Sequence, residues 1–301
     1  RVLVPMPGFA EYGRAARALG IEVFHHYTDA AAGFRLDPEA LDRQIKRDQP
    51  DLVFICNPNN PTAVQLDRPT MEAIAGVVQA AGAWLVVDET FIELSRLGNA
   101  ASLAPLLCGL TTGVHQLQSP GERLIVLRAL TKTFALAGLR LGYLAAPAET
   151  AGRIRDSLVP WSVNGFAARL GGIFGEEAAY LERTAAWMAE EPDWLHGRLI
   201  ELARPGLGLG PGPGGMGAAG NRLLATVLRP DSNFILCQLR DGLTAAKLRE
   251  TLLVQGILIR NCGNFPGLGP QWFRVAVRSR ADNERLMAAV RSLGVHESRQ
   301  L

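Results

Sequence analysis

Lysine is nearly missing from this chain. Of its 31 basic residues only Lys46, Lys132 and Lys247 are lysines, which leaves 28 arginines. Cysteine is also sparse. Cys56, Cys108, Cys237 and Cys262 lie far apart, which excludes a disulfide framework and paired metal ligands and points to a reducing cytosol. The five histidines include no His-x-x-x-His pair, so no metal site is expected. No apolar run reaches the roughly 18 residues needed to span a membrane. The most apolar region, 124–148, is interrupted by Arg128, Lys132 and Arg140. Net charge is only +2 and aromatics make up 7%, so no basic, aromatic-lined groove for nucleic acid is expected. The sequence as given begins at Arg1 rather than Met, and no signal peptide is expected in it. "RVLVP" reads as a strand already under way, and the expectation is that the chain enters a domain in its middle.

What is present is an ordinary globular composition. Hydrophobic content of 48% against 20% charged is enough for a large core in one or two domains. Strand-like and helix-like segments alternate. "RVLVP", "IEVFHHY", "DLVFIC", "WLVVDE", "LIVLRAL" and "RLGYLAA" read as strands, and 8–19, 38–47 and 69–81 have helical spacing. That alternation predicts crossover connections and an α/β fold with a mostly parallel sheet and helices on both faces. Helices are expected from about 147 to 203. "NFILCQL", "GILIRNC", "WFRVAVRS" and a last helix at 280–292 predict a smaller C-terminal α+β domain. The expected division is 1–165 and 166–301. The Gly/Pro-rich stretch at 204–220 contains "GPGPGG", which matches the dinucleotide pattern G-x-G-x-x-G. No strand leads into it and prolines interrupt it, so it reads as a surface loop.

In an open parallel sheet, ligands bind beyond the carboxyl ends of the strands. "LVFIC" runs into "NPNNPT", with Asn57, Asn59 and Asn60; "WLVVDE" ends at Asp88; "LIVLRAL" runs into Lys132. Taken singly, each has a structural reading as a turn, a helix cap or a solvated charge. Together they deliver an amide, a carboxylate and an amine to one edge. Pyridoxal phosphate needs all three. Its aldehyde forms a Schiff base with an amine, which a permanently protonated guanidinium cannot supply. Its ring nitrogen needs a carboxylate, its phenolic oxygen a donor, and its phosphate a cation, for which Arg140 is the candidate.

"NPNNPT", "VVDETF" and "LTKTFALAGLRLGY" resemble the signature segments of the aspartate-aminotransferase-type pyridoxal-phosphate enzymes, and more narrowly the histidinol-phosphate aminotransferase branch. "WSVNGFA" and "GILIRNCGNFPGLGPQWFRVAVRS" look most like the threonine-phosphate decarboxylases of cobalamin biosynthesis. The resemblance implies a cytoplasmic homodimer acting on a small phosphorylated amino acid. It implies that Lys132 carries the cofactor and moves protons, Asp88 pairs with the ring nitrogen, and Asn60 donates to the ring hydroxyl. It further implies that Arg140 contacts the cofactor phosphate and Phe9 stacks on the ring. Arg274 would grip the substrate carboxylate with Asn164 as a second candidate, and Arg260 would bind the substrate phosphate. Decarboxylation of threonine O-3-phosphate is the expected reaction. Transamination of the histidinol-phosphate type and a non-catalytic or decayed module of the same fold are the alternatives.

Some positions depart from the family pattern. Phe91 stands where relatives often have Tyr, Ala129 where they often have Ser or Thr, and Ala63 where the motif ends in Gly. The family's glycine-rich phosphate loop, its N-terminal arm and the tyrosine lent by the partner subunit are expected upstream of the segment matching residue 1.

Overall fold

The computed structural model describes residues 1–109, 121–203 and 223–296. The Gly/Pro-rich stretch at 204–220 lies outside them. The chain forms two compact units, one of residues 1–60 and 64–188, the other of 61–63 and 189–301. That division falls later than the 165/166 boundary expected from sequence, inside a long helix.

The first unit is built on a six-stranded sheet. In chain order it contains β1 (Val2–Met6), α1 (Ala10–Ala18), β2 (Val23–Tyr27), α2 (Pro38–Asp48), β3 (Leu52–Cys56), α3 (Arg68–Ala80) and β4 (Trp84–Asp88). Next come β5 (Leu124–Ala129), α4 (Leu130–Thr133), β6 (Gly142–Ala145), α5 (Ala148–Asp156) and α6 (Gly165–Ile173). The helix α7 (Ala178–Ala203) crosses into the second unit. The strand order is β2-β1-β3-β4-β5-β6, with the first five parallel and β6 antiparallel to β5.

Residue alternation explains why both faces carry helices. Leu3, Val53, Ile55, Leu85, Val87 and Val126 pack with Leu41 and Ile45 of α2 and with Met71, Ile74 and Val78 of α3. The intervening Val2, Val4 and Met6 of β1 pack with Tyr12 and Ala16 of α1, against which Phe54 and Cys56 of β3 also lie. A period of two therefore feeds two cores. Each fully buried Leu, Ile or Val contributes roughly 1.5–3 kcal/mol. Asp37 caps α2 by accepting from Glu39 N, and Asp67 caps α3 by accepting from Thr70 N, with a proline in the first turn of each.

The chain order places the site. β1 has β2 on one side and β3 on the other, so the order reverses between β1 and β3. Crevices for ligands open at such a point. At the end of β1, Gly8 makes the turn possible, since a Cβ there would come within 2.3 Å of the Pro5 carbonyl oxygen.

The second unit holds an antiparallel sheet in the order β7-β8-β10-β9. Its strands are β7 (Leu224–Val227), β8 (Phe234–Leu239), β9 (Arg260–Asn261) and β10 (Trp272–Ala276), and its helices include α8 (Ala245–Val254) and α9 (Arg280–His296). β7 was not anticipated from sequence; four residues are too few for periodicity to reveal. β9 is much shorter than "GILIRNC" suggests. The N–H of Ile257 closes the end of α8 by bonding to the Leu252 carbonyl, so the ladder begins only at Arg260.

Candidate active site

Five of the expected site residues lie at one edge of the first sheet. Phe9 follows β1, Asn60 lies in the turn after β3, Asp88 ends β4, and Lys132 sits in α4 beyond β5. Arg140 precedes β6, whose first residue Gly142 pairs with Ala129 at the end of β5. Parallel neighbours Cys56 and Asp88 are in register, as are Asp88 and Leu127.

The three asparagines of "NPNNPT" divide their work. Asn57 is buried and holds the loop shut, donating to the Leu66 carbonyl at 3.0 Å and accepting from Leu66 N at 2.8 Å. Asn59 donates to the Pro7 carbonyl at 2.9 Å and so ties this loop to the end of β1. Asn60 is half-buried beside them. Ala63, where the family motif ends in Gly, has a φ of 61° and is fully buried. The left-handed backbone explains the preference for Gly there, and alanine bears about 1–2 kcal/mol of strain.

Asp88 is held at both oxygens. Oδ1 accepts from Thr90 N at 2.9 Å and Oδ2 accepts from the Tyr12 hydroxyl at 2.5 Å. Tyr12 is 9% exposed, stacks on Phe54 at 4.7 Å, and meets the edge of Phe9 at 5.4 Å. Phe9 itself is 39% exposed. Burial, reinforced by Cys56 and Asp88, holds the Tyr12 phenol well above its ordinary value. Burial and Asp88 push the Cys56 thiol up to about 12, so it stays protonated beside the carboxylate.

Lys132 is exposed, with Nζ 6.0 Å from the centre of the Phe91 ring. Its neighbour Thr133 is pinned twice. Thr133 Oγ1 donates to Glu93 Oε2 at 3.2 Å, and Tyr180 donates to the Thr133 carbonyl at 2.9 Å. Beneath this turn lies a buried charge cluster. Arg128 donates to Glu89 Oε2 at 2.8 Å, to Ser102 Oγ at 3.0 Å, and to Glu93. Glu89 also accepts from Ser102 Oγ and from Leu103 N, both at 2.8 Å. Burial pushes the Glu89 carboxyl above its ordinary value, with Arg128 opposing.

Arg140 is exposed, has a φ of 55°, and donates to the Ala137 carbonyl at 3.0 Å. Asn164 is the N-cap of α6. It accepts from Ala167 N and donates to the Leu139 carbonyl, both at 3.0 Å, next to Arg140.

Arg260 and Arg274 belong to the second unit, where they are cross-strand partners of β9 and β10. The Arg274 guanidinium lies 4.6 Å from the Phe234 ring centre and that of Arg260 5.5 Å from the Phe265 ring centre. Arg260 also donates to Asn264 Oδ1 at 3.1 Å. Burial, with Arg260 beside it, pulls the Arg274 guanidinium below its ordinary value, against an opposing effect of Cys262. No group of three or more His, Cys, Asp or Glu arranged to hold a metal exists among the described residues, and no helix among them is long and apolar enough to cross a membrane.

Residues 1–291 match the family of class I and II aminotransferases. The chain belongs to that family. It is 36% identical over 298 residues to the threonine-phosphate decarboxylase of Salmonella typhimurium, covering 97% of this chain and 71% of the relative. It is 31% identical to a histidinol-phosphate aminotransferase of Desulfitobacterium hafniense, over 96% of this chain and 69% of that one. The histidinol-phosphate aminotransferase of Clostridium acetobutylicum superposes with a TM-score of 0.81 at 26% identity, over 97% of this chain and 77% of the other.

Pyridoxal phosphate is the cofactor of these enzymes. The residues present fit it. An accessible amine, a fixed carboxylate and a half-exposed aromatic face converge at one sheet edge, with an arginine alongside. Sequence reasoning missed Tyr12, Cys56 and the Arg128–Glu89–Glu93 cluster. Tyr12 had a signal, since it lies three residues after Phe9, one helical turn on. The cluster had none, because Arg128 is 39 and 35 residues from its two carboxylates.

Proposed function

We propose that this protein is a pyridoxal-phosphate-dependent decarboxylase that converts threonine O-3-phosphate to aminopropanol phosphate for cobalamin biosynthesis. The observation that carries the reading is the cross-strand pair Arg260 and Arg274. Two guanidiniums side by side, one of them crowded and largely desolvated, suit a ligand with two anionic ends. Threonine phosphate offers a carboxylate and a phosphate in one molecule; histidinol phosphate has no carboxylate, and in the aminotransferase reading the pair would serve the dicarboxylate 2-oxoglutarate. The similarity to the Salmonella decarboxylase favours the first reading.

The cofactor, when bound, supplies an aldehyde for the substrate amine and a ring that withdraws electrons from the bonds at Cα. The protein's residues do the rest. Asp88 would pair with the ring nitrogen, Phe9 would stack on the ring, Asn60 would donate to its hydroxyl, and Arg140 would contact its phosphate. In the second unit, Arg274 would grip the substrate carboxylate and Arg260 the substrate phosphate; Asn164, in the first unit, is the weaker candidate for the carboxylate. Which bond at Cα breaks would depend on how these arginines hold the substrate's two anionic ends. Lys132 would return a proton to Cα after carbon dioxide has left. We further assign the protein to the cytoplasm and to a homodimer, as the family resemblance implies.

The runner-up is transamination of histidinol phosphate, favoured by the match to the Clostridium enzyme. One experiment separates the two. Protein expressed from the whole reading frame is incubated with threonine O-3-phosphate without any 2-oxo acid, and carbon dioxide is measured. Release at enzymatic rates is the expected result. No release, together with turnover of histidinol phosphate and 2-oxoglutarate, selects the aminotransferase.

A further inference from the structure

Asp88 is the proposed partner of the cofactor's ring nitrogen, and its geometry is set by a side chain to which the sequence motifs give no role. Tyr12 Oη lies 2.5 Å from Asp88 Oδ2, while Thr90 N holds Oδ1. Each oxygen keeps a further lone pair for an incoming ring N–H. The Tyr12 ring is clamped against Phe54, nearly parallel at 6°, and its other contact with an aromatic ring is the edge of Phe9 at 77°. One buried phenol thus touches both the carboxylate and the aromatic side chain of the proposed cofactor site. We infer that Tyr12 is a positioning residue: its hydroxyl fixes the Asp88 carboxylate for the ring nitrogen of the cofactor, and its ring props Phe9 at the cofactor face.

Three observations support this. Burial leaves the Tyr12 hydroxyl little to bond except Asp88 and Cys56. The proton of the pair stays on Tyr12, because its environment disfavours the phenolate. The Cys56 thiol next to it stays neutral, so it adds no second charge to compete with Asp88. A hydroxyl donating to a carboxylate is a charge-assisted bond, and losing it costs about tenfold in an affinity that depends on that carboxylate.

The inference rests on the proposed role of Asp88, and the test separates the two. Binding of pyridoxal phosphate and of its 1-deaza analogue, which has carbon in place of the ring nitrogen, is measured for the full-length protein, Tyr12→Phe and Asp88→Asn. Tyr12→Phe is expected to lose about tenfold on pyridoxal phosphate and less than about twofold on the analogue. Equal losses on both ligands would mean a purely structural role and overturn the inference. So would no loss on either while Asp88→Asn still shows a nitrogen-specific loss. If Asp88→Asn shows none, the role of Asp88 falls and takes the inference with it. Should Tyr12→Phe fail to fold, 3-fluorotyrosine at position 12 asks the same question by changing only the acidity of the hydroxyl. A changed ratio of the two affinities supports the inference, and an unchanged ratio overturns it.

Discussion

At the scale of single residues, the rarity of lysine has a chemical reading. Arginine serves for surface charge and ion pairs, but it cannot release a proton near neutral pH. In the proposed reading, Lys132 is where an amine is required. Borohydride treatment of the holoprotein is expected to fix the cofactor on the peptide containing Lys132, read by mass spectrometry; label on Lys46 or Lys247 would refute the assignment. Arg128 makes the opposite point. It is 9% exposed and serves two carboxylates, of which Glu89 is 1% exposed. Breaking such a pair strands a buried charge, at about 3–5 kcal/mol. Arg128→Met is therefore expected to lower the free energy of unfolding by about that amount, measured by urea denaturation. Arg128→Met combined with Glu89→Gln is expected to recover part of the loss, because the stranded charge is gone.

Elements show how much of the fold was legible. The parallel strands were, because β3, β4 and β5 are continuous apolar runs bounded by helix caps and turns. The residues just beyond their ends were legible for the same reason: a polar group directly after a buried strand must lie at the carboxyl edge. β7 and the real extent of β9 were not, since their pairing depends on partners distant in sequence and on how α8 closes. The cap of α3 offers a direct check. The Asp67 carboxylate accepts from Thr70 N at 2.9 Å, and that contact holds its carboxyl below the ordinary value. A depressed folded value means the stabilisation is present above the ordinary Asp value of about 3.9 and is lost as pH falls through the folded value. Asp67→Ala is expected to cost about 1 kcal/mol at neutral pH, with Asp67→Asn retaining most of it. The gap between wild type and Asp67→Ala should narrow in acid; a gap independent of pH would show that the charge adds nothing to the cap.

At the scale of the whole molecule, the proposed roles are divided between the two units. Phe9, Asn60, Asp88, Lys132 and Arg140 belong to the first, and Arg260 and Arg274 to the second. If the second unit recognises the substrate's anions, its two arginines should differ in what they discriminate. Arg260 is exposed and held by Asn264 and the Phe265 ring, so its guanidinium is presented to solvent and reaches an anion without reorganising a core. Arg274 is more enclosed, over Phe234, and burial with Arg260 beside it pulls its guanidinium below the ordinary value. A charge-assisted hydrogen bond contributes roughly 1.5–3 kcal/mol, which is about one to two decades in affinity. Arg260→Ala is expected to weaken threonine O-3-phosphate by at least about tenfold and leave unphosphorylated threonine nearly unaffected. Arg274→Ala is expected to weaken both, since both carry the carboxylate. The measurement is the perturbation of cofactor absorbance on titrating each ligand into each variant. If Arg260→Ala weakens both ligands equally, Arg260 supports the strand and does not read the phosphate. In that case, the argument for a doubly anionic substrate loses one of its two cations.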